Sequence, residues 1–556
     1  MSLSQKVQNM PDYKNILEKI IGIENIVIAD KSKLYNNHDS QFICTFDFLG
    51  EKFELFLPKY FPIHLPKLTV LTDLIHSHID KKGVVCLQNQ EDIDYDIENE
   101  EEVIIKTINS LRNLLLVSEE ENSKEIKYEF NDYLPFYLNY CEKKCLLCSS
   151  INGDKGQLVI EENRILIGID STLYKCYKKN SNKNYPFRNY IHLELHSLPK
   201  ITTSNLMINE LYNCLTKSSQ KKMEKEMNKA QFFLCEYKLD NGIKNYFLTE
   251  LEQNKSIVYK NNISTFDTCI KIYNVRDISF EFLRTRGGSI QADEDVLVIG
   301  CGSVGSEVVE LLSSSGFLNL SIVDYDLLKY ENTYRNLTGF IYLNHLEESN
   351  KAEVLKCFTE FKYPDVNITI YKENIVELLK CTKLNLKKYK YIIVCVGNNI
   401  LHKYINKYIY DNNINTKLIF GWLEPYGIAE HILTIDTSKP GCYNCLCKST
   451  NNIHFTTDDV DYKIRNNVCA GSYTPYGKVS TVRLATSIVD LLLNDYSSYS
   501  PLGNKHFIRK GNFKKYLQDG YKLTKYANYT QEELDSISKD FVYEGCDICG
   551  KRSNNI

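Results

Sequence analysis

The chain has 556 residues, of which 43% are hydrophobic and 25% are charged, and its net charge is -4. This length is too great for one hydrophobic core, so about three domains are expected. The weak negative charge gives no electrostatic reason to expect direct binding of nucleic acid. No apolar run approaches the roughly 20 residues that span a membrane, and the N-terminus lacks a signal-peptide core, so a cytoplasmic protein is expected. The 19 cysteines indicate reduced thiols, metal ligands and catalysis rather than a disulfide scaffold.

The first region, residues 1–120, has the pattern of a small α+β domain. A helix is predicted from Val7 to Ile21, and a second from Glu101 to Leu116. Between them, residues 41–57 alternate apolar and polar side chains around Gly50, which predicts antiparallel strands. Two prolines in residues 61–66 favour a sheet edge or an ordered loop.

The sequence that follows resembles the ubiquitin-conjugating fold. An F-P-x-x-x-P turn precedes H-x-x-I-x-x-x-G-x-x-C-L, which starts at His76 and carries Cys86. The resemblance implies that Cys86 carries an acyl group as a thioester, since a thiolate is both a good nucleophile and a good leaving group. The family's His-Pro-Asn motif is replaced by His76, Ser77 and His78, and we expect His78 to supply the hydrogen bond of the missing asparagine. An inert conjugating-like module that only recruits a partner is the alternative.

Residues 121–280 predict a mixed α/β linker domain without a catalytic constellation. Strands are predicted at residues 157–160, 164–169, 190–195, 232–237 and 244–251, with a hairpin at Asp240-Asn241-Gly242 and one or two helices in residues 204–231. Cys141, Cys145 and Cys148, with Cys176 further on, leave a metal site open as an alternative to ordinary thiols.

The third region, residues 281–556, opens with a strand, a glycine turn, a helix and a second strand. Apolar residues 296–299 are followed by Gly300, Gly302 and Gly305 in G-x-G-x-x-G spacing, and the second strand ends at Asp324. This pattern predicts a nucleotide site, in which glycines admit a phosphate to the backbone and the acid accepts ribose hydroxyls. Dehydrogenases share the pattern, so it does not identify the chemistry.

The residues after Asp324 distinguish between these nucleotide chemistries. An adenylating enzyme must hold three phosphates and neutralise charge as pyrophosphate leaves, and Asn332, Arg335 and Lys351 supply such a set. The D-x-D, N-x-x-R and lysine pattern resembles the ThiF, MoeB and ubiquitin-activating superfamily. The resemblance implies that Asp324 binds ribose, that Arg335 and Lys351 grip the phosphates, and that Asn332 positions them.

That superfamily has a magnesium-binding aspartate after the next strand, whereas this chain has Asn398. An asparagine oxygen is a weaker ligand for a hard cation. We therefore expect Mg²⁺ to be held mainly by ATP phosphates, with Asp326 as an auxiliary ligand. Arg284 and Arg286 are candidate cations for an ATP site, which in relatives is often that of a partner subunit.

Two C-x-x-C pairs, Cys442 with Cys445 and Cys546 with Cys549, predict a structural zinc site. ThiF and MoeB relatives show the same widely split arrangement. A redox C-x-x-C is the alternative, but neither pair opens a helix after a strand. Zinc would tie the C-terminal tail to the adenylation domain.

Cys469 lies in a Gly/Ser/Pro-rich segment ahead of a predicted helix that starts at Lys478. In activating enzymes the acceptor cysteine occupies this loop, so the resemblance implies that Cys469 forms the first thioester. A passive loop thiol and the competitor Cys447, beside the zinc pair, are the alternatives.

Together the predicted fold class is α/β and α+β multidomain: a ubiquitin-conjugating-like domain, a linker and a Rossmann-like adenylation domain. This combination resembles the fused activating and conjugating enzymes of bacterial CBASS anti-phage operons. The resemblance implies ATP, Mg²⁺ and Zn²⁺ as cofactors, a cGAS/DncV-like nucleotidyltransferase as acyl donor, lysine acceptors on target proteins, and a homodimer. A sulfur-carrier activator of the ThiF/MoeB kind and a nicotinamide-dependent oxidoreductase are the alternatives.

Overall fold

The computed structural model describes residues 12–29, 40–87, 96–169, 174, 185–227, 229–251, 269–340, 349–457, 464–465, 472–473, 475–539 and 541–550. The chain separates into two units, Met1–Phe280 and Glu281–Ile556. None of the described helices is both long and apolar enough to cross a membrane.

The first part of unit one is an antiparallel five-stranded sheet in the order β1-β2-β3-β4-β5. Leu49 and Gly50 both have positive φ, 50° and 87°, which gives the tight hairpin between the second and third strands. Apolar faces of two helices pack on the sheet through residues such as Leu17 and Ile108. The α+β class predicted for this region is therefore seen. The elements are α1 (Tyr13–Glu18), β1 (Ile23–Ile28), β2 (Ser40–Phe48), β3 (Glu51–Pro58), β4 (Lys67–Val70), β5 (Val84–Val85), α2 (Glu100–Leu115) and α3 (Glu119–Tyr128).

The second part of unit one is a closed barrel in the order β10-β11-β12-β6-β8-β7-β9. One apolar cluster takes side chains from all seven strands and fills the barrel, while a second cluster lies between the barrel wall and short helices. The predicted strands are seen and close into a barrel, and two helices lie within the predicted helical stretch 204–231. The elements are α4 (Phe130–Tyr133), β6 (Lys144–Leu147), β7 (Lys155–Ile160), β8 (Arg164–Ile167), β9 (Phe187–Glu194), α5 (Ile208–Cys214), α6 (Lys217–Glu226), β10 (Phe232–Lys238), β11 (Lys244–Leu251) and β12 (Ile270–Asp277).

Unit two is built on a seven-stranded sheet in the order β15-β14-β13-β16-β17-β18-β21. Strands β13 to β17 run parallel to one another, and β18 is antiparallel to them. Strand β21 pairs antiparallel with β18 and therefore runs in the same direction as β13 to β17. The elements are α7 (Phe280–Arg286), β13 (Ala292–Ile299), α8 (Ser303–Ser315), β14 (Phe317–Val323), α9 (Lys351–Lys362), β15 (Asn367–Tyr371), α10 (Ile375–Lys380), β16 (Tyr391–Val394), α11 (Asn399–Asp411), β17 (Lys417–Leu423), β18 (Ala429–Asp436), α12 (Tyr443–Lys448), β19 (Ile464–Arg465), β20 (Ser472–Tyr473), α13 (Lys478–Tyr496), β21 (Lys505–Lys510), α14 (Lys514–Gln518) and α15 (Gln531–Ser538).

The strand order of this sheet places a binding site. The continuous apolar run 296–299 forms the last part of β13, which is buried on both faces between helices, as parallel strands usually are. Strands β14 and β15 lie on one side of β13, and β16 and β17 lie on its other side. The carboxyl ends of β13 and β16 therefore border a crevice at this switch point in strand order. Ligands of open parallel sheets bind at such a switch point. The glycine turn and Asp324 both lie at this edge.

Candidate active site

The glycine turn brings the start of α8 against the end of β13. Gly300 has φ of 97°, and a Cβ there would lie 2.7 Å from Val396 Cγ1. A Cβ at Gly305 would lie 1.7 Å from the Gly300 carbonyl oxygen, so only glycine permits this approach. At Gly302, by contrast, a Cβ would meet nothing within 4 Å. Gly302 caps the 13-residue helix α8 without a side-chain hydrogen bond. The first amides of α8 are thus open to an anion.

Asp324 closes the glycine turn from β14. Its Oδ2 accepts the Cys301 N–H at 2.7 Å, and its Oδ1 accepts the Asp326 N–H at 2.9 Å. Burial raises the pKa of Asp324 above its ordinary value, and these two hydrogen bonds offset only part of that rise. The carboxylate therefore fixes the turn and lines the crevice, where it can accept ribose hydroxyls.

Lys351 lies at the same edge, at the first position of α9. Its Nζ is 2.9 Å from Asp326 Oδ2, and its side chain is only 12% exposed. Asn350 holds this helix start in place. Its Nδ2 donates to the backbone carbonyl oxygen of Asp324 at 2.8 Å, and its Oδ1 accepts the Ala352 N–H. An ammonium is thus held beside Asp326, at the carboxyl edge of the sheet.

Asn332 and Arg335 share one turn, in which the Arg335 N–H donates to the Asn332 carbonyl oxygen at 3.1 Å. The neighbouring Asn336 is buried and donates to the Cys301 carbonyl oxygen at 3.1 Å, which joins this turn to the glycine turn. The Arg335 guanidinium lies over the Tyr476 ring, 5.2 Å from its centroid. Asn336, like Asn350, is a site residue that the motif analysis missed, because its role depends on a contact between distant segments.

A cavity of about 450 Å³ opens between these elements. Gly300, Asp324 and Asp326 line one side, and Val376, Asn398 and Tyr404 line the other. This volume is in the range of small-molecule sites. Asn398 lies on the wall, but its Oδ1 already accepts the N–H groups of residues 400 and 401 at the start of α11. A magnesium ion bound there would compete with this helix cap.

His402 supports the turn that carries Asn398. Its Nε2 lies 2.5 Å from the Val396 carbonyl oxygen, and its ring packs against Phe420 and Trp422. Burial lowers the pKa of His402 to about 4. The neutral imidazole therefore holds the cavity wall at neutral pH.

The four cysteines of the two C-x-x-C pairs meet in unit two. The sulfur atoms of Cys442 and Cys445 are 3.8 Å apart, those of Cys442 and Cys546 are 3.8 Å apart, and those of Cys445 and Cys549 are 3.4 Å apart. A tetrahedral zinc ion with Zn–S bonds of about 2.3 Å holds its sulfurs about 3.8 Å apart. The buried thiols therefore fit one zinc ion that fastens the last residues to α12.

Cys86 lies in unit one, just after β5, and is exposed. Its N–H donates to the His78 carbonyl oxygen at 2.7 Å, so two of the predicted catalytic residues are neighbours. Cys145 and Cys148, in contrast, belong to different apolar clusters of the barrel. Burial raises the pKa of Cys148 to about 12. Among the described residues, the cysteines from 141 to 148 do not form a metal-binding group.

Comparison with known proteins assigns the C-terminal region. Residues 275–521 match the model of the ThiF family. This region is a ThiF-family domain. The chain is 34% identical over 83 residues to the NEDD8-activating enzyme E1 catalytic subunit of Dictyostelium discoideum, covering 15% of this chain and 18% of that protein. It is 26% identical over 216 residues to ubiquitin-like modifier-activating enzyme 5 of Caenorhabditis briggsae, covering 36% and 47%.

A bacterial relative is also similar to the chain. The ATP-dependent ubiquitin transferase-like protein Cap2 of Enterobacter hormaechei subsp. hoffmannii (strain UCI 50) is 31% identical over 119 residues, covering 21% of this chain and 19% of that protein. The chain thus spans less than half the length of each of these three relatives. A solved structure of E. coli MccB with ATP aligns at 17% identity and a TM-score of 0.32, covering 46% of this chain and 67% of that chain.

The predicted acceptor Cys469 of the ThiF domain lies outside the described residues. Strands β19 and β20, on either side of it, pair antiparallel, with residue 464 opposite 473. The chain before β19 is held by Glu424, whose carboxylate accepts the N–H groups of Phe455 and Thr456 at 3.0 and 2.9 Å. The chain after β20 is held by Tyr426, whose N–H donates to the Pro475 carbonyl oxygen. One turn after β17 therefore fixes both flanks of the segment that carries Cys469.

Glu424 is part of a buried network that the sequence analysis missed. His431 Nε2 is 2.9 Å from Glu424 Oε1, and His431 Nδ1 is 3.1 Å from His506 Nε2. Burial raises the pKa of Glu424, but hydrogen bonds from His431, His454 and the Phe455 amide outweigh it and lower the pKa well below its usual range. Ligand atoms of Glu424, His431 and His454 lie within 4.8 Å of one another. Because backbone amides already occupy both Glu424 oxygens, we interpret the network as a hydrogen-bonded anchor rather than a metal site.

Arg284 is not at the nucleotide crevice of its own chain. It pairs with Asp365, which comes just before the amino end of β15. The crevice lies at the carboxyl ends of the strands. A role of Arg284 in an ATP site would therefore require a second subunit.

Zinc binding gives a first testable prediction. Replacing Cys442 by serine should reduce the bound zinc from one ion per chain to none and lower the melting temperature, because the remaining three thiols cannot close the tetrahedron. Zinc is measured by mass spectrometry of acid-digested, metal-supplemented protein. Cys447→Ser is the control, since Cys447 lies outside the cluster, and it should keep its zinc. Zinc-free wild-type protein would contradict the assignment.

His402 gives a second prediction, for stability against pH. The unfolded chain binds a proton at His402 below about pH 6.5, whereas the folded chain does so only near pH 4, so stability falls as the pH drops between these values. The loss on going from about pH 7.5 to about pH 5 should be about 2 kcal/mol smaller in His402→Gln, whose amide can still donate to Val396. Unfolding by denaturant is followed through Trp422, the single tryptophan. An equal loss in both proteins would show that His402 does not titrate as described.

Proposed function

We propose that this protein uses ATP to activate a protein C-terminal carboxylate and conjugates it to target amines, in the manner of ubiquitin-activating and ubiquitin-conjugating enzymes. The acyl donor is a cGAS/DncV-like nucleotidyltransferase, the acceptors are lysines, and the setting is anti-phage defence. The ThiF-family domain and its activating-enzyme relatives support the first half of this proposal. The similarity to the bacterial ATP-dependent ubiquitin transferase-like protein supports the second.

One arrangement supports the adenylation step: the start of α8, Asp324 and the Lys351 ammonium lie at the same edge of the sheet, and Asn336 ties the Arg335 turn to Cys301. Asp324 suits a ribose, and the amides after Gly302 suit a phosphate. A nicotinamide enzyme needs no more than these. Lys351 and Arg335 add positive charge, which an enzyme that releases pyrophosphate requires. We therefore favour ATP over a nicotinamide nucleotide.

In the proposed adenylation, a carboxylate oxygen attacks the α-phosphorus of ATP and pyrophosphate leaves. Lys351 and Arg335 stabilise the charge that develops on the phosphates, while Asn332 positions the Arg335 turn. Mg²⁺ would be held mainly by the phosphates, with Asp326 as the protein carboxylate nearest to Lys351. The Mg²⁺ ion would screen the phosphate charge there.

In the proposed transfer steps, the Cys469 thiolate attacks the acyl-adenylate carbonyl carbon, and AMP leaves. The Cys86 thiolate then attacks the resulting thioester, and Cys469 leaves as a thiolate. Last, a lysine amine attacks the carbonyl carbon of the thioester on Cys86, an amide bond forms as the nitrogen loses a proton, and Cys86 leaves as a thiolate. The exposure of Cys86 and the anchoring of both flanks of the Cys469 segment on the 424–426 turn support this relay. We also propose a homodimer, as the resemblance to activating enzymes implies; Arg284 would then be a candidate cation for the partner's ATP site.

The test is a non-reducing gel of the full chain with ATP, Mg²⁺ and a cGAS/DncV-like nucleotidyltransferase. Wild type should form a thiol-reductant-sensitive adduct. Cys469→Ala should form none, and Cys86→Ala should accumulate the adduct at Cys469 without passing it on, because the relay order is fixed. Cys357→Ala, which removes another exposed thiol, should match wild type.

A second donor that lacks its C-terminal residues should give no adduct with any variant, since the activated carboxylate is then missing. An unchanged adduct in Cys469→Ala would contradict the relay. Absence of both adduct and ATP consumption in wild type would contradict conjugation of this donor.

A further inference from the structure

His78 and Cys86 lie opposite each other on two short antiparallel segments. Residues 79 and 85 form an antiparallel bridge, and the Cys86 N–H donates to the His78 carbonyl oxygen at 2.7 Å. The backbones of His78 and Cys86 are therefore adjacent, with the thiol and the imidazole on neighbouring residues of one loop. Cys86 is exposed, so a reagent or substrate can reach its sulfur.

Glu129, which follows α3, holds His78 through both carboxylate oxygens. Oε1 is 2.8 Å from His78 Nδ1, and Oε2 accepts the His78 backbone N–H at 3.2 Å. The Tyr133 hydroxyl lies 2.9 Å from the His76 carbonyl oxygen and 3.1 Å from Oε2, so its single hydrogen is shared between these two acceptors. His78 has φ of 60°, an uncommon left-handed conformation for a residue with a side chain. The two bonds from one carboxylate fix both this backbone turn and the ring.

The contact with Glu129 also determines which ring nitrogen of His78 can act as a base. A carboxylate accepts the hydrogen of Nδ1, so in the neutral ring the lone pair is on Nε2. Within the described residues, Nε2 makes no hydrogen bond. The ring therefore offers a proton acceptor on the side away from Glu129.

The other titratable groups around this loop are accounted for. His76 is buried, and its Nδ1 lies 3.1 Å from the Ser77 carbonyl oxygen. Burial, followed by the nearby Glu129 charge, raises the pKa of Tyr133, so its hydroxyl stays protonated at neutral pH and is not a base there. The same two causes raise the pKa of Asp132.

We propose that His78 accepts the thiol proton of Cys86 at Nε2 and that Glu129 is the positioning residue for this transfer. The assignment rests on the proposed function, in which Cys86 carries the acyl group. The S–H bond breaks, the proton joins Nε2, and the imidazolium is paired with the Glu129 carboxylate. The resulting thiolate attacks the carbonyl carbon of the incoming thioester, a new C–S bond forms, and the donor sulfur leaves as a thiolate. His78 thus does more than replace the asparagine of the conjugating motif.

The test measures the thiolate of Cys86 without any acyl donor. The full chain is alkylated with iodoacetamide across a pH series, and the rate at each cysteine is read by peptide mass spectrometry. In Glu129→Gln, which keeps the shape but not the charge, the Cys86 rate at neutral pH should fall about tenfold, and the pH of half-maximal rate should rise. His78→Asn should do the same. Glu129→Asp should restore part of the rate, and the exposed Cys357 gives the reference rate in every sample.

Asn122→Ala is the matched structural control. Asn122 Oδ1 accepts the Ser77 N–H at 2.8 Å, so this change loosens the same loop without altering its charge. It should leave the pH profile of Cys86 unchanged. A wild-type profile in Glu129→Gln, or an equal shift in Asn122→Ala, would overturn the assignment. If Glu129→Gln lowers the melting temperature, His78→Asn decides in the same way.

The alkylation result and the conjugation result can fail separately. If Glu129→Gln shifts the Cys86 alkylation profile as predicted but wild type forms no adduct on the gel, the proposed function is rejected and the Cys86–His78 pair stands. A normal relay in the presence of unchanged alkylation profiles would reject the pair alone.

Discussion

The contact between the Asp324 carboxylate and the Cys301 amide determines the geometry of the C-terminal unit's crevice. It joins the ends of β13 and β14 at the point where α8 begins, and the approach is close enough that Gly305 has no room for a Cβ. Asn336 and Asn350 then attach to the same two strand ends through the Cys301 and Asp324 carbonyl oxygens. The positions of Lys351 and of the Arg335 turn are consequently determined by hydrogen bonds to the backbone of these two strand ends, not by the long side chains of the cations themselves.

Much of this framework could be predicted, because its signals are local. The apolar run 296–299, the glycine spacing and the terminal acid each follow from short-range geometry, as does the hairpin at Gly50. The helix predicted at residues 101–116 is seen within one residue of its bounds. Two glycines of the glycine turn follow from local requirements: Gly300 has positive φ, and Gly305 lets the helix approach the end of the strand closely.

What could not be predicted depends on contacts between distant segments. Closure of the central strands into a barrel requires the pairing of β6 with both β8 and β12, and neither β6 nor β12 had a strong strand pattern. Glu129 stands 51 residues after His78, so no motif links them. The same applies to Glu424 and its hold on residues 455 and 456. The placement of Cys469 lies outside the described residues, and its role remains a prediction.

The cysteines illustrate how environment divides one residue type into different chemistries. Cys145 and Cys148 fill apolar layers of the barrel, where burial disfavours the thiolate. Four others converge in a buried cluster with zinc-like spacing. Cys86 is exposed beside an imidazole that a carboxylate holds in place. The exposure and neighbours of each cysteine, together with its spacing in the sequence, determine the chemistry that it can support.

The measurement that tests the central claim most directly is calorimetric titration of the full chain with ATP and Mg²⁺, and separately with NADH. We predict that ATP binds, that NADH does not, and that Lys351→Ala weakens ATP binding about tenfold, because a charge-assisted contact to phosphate is lost. Lys372→Ala, which removes an exposed lysine paired with Glu353, should leave the affinity unchanged. Tighter binding of NADH than of ATP, or unchanged ATP affinity in Lys351→Ala, would contradict an adenylating site at this crevice.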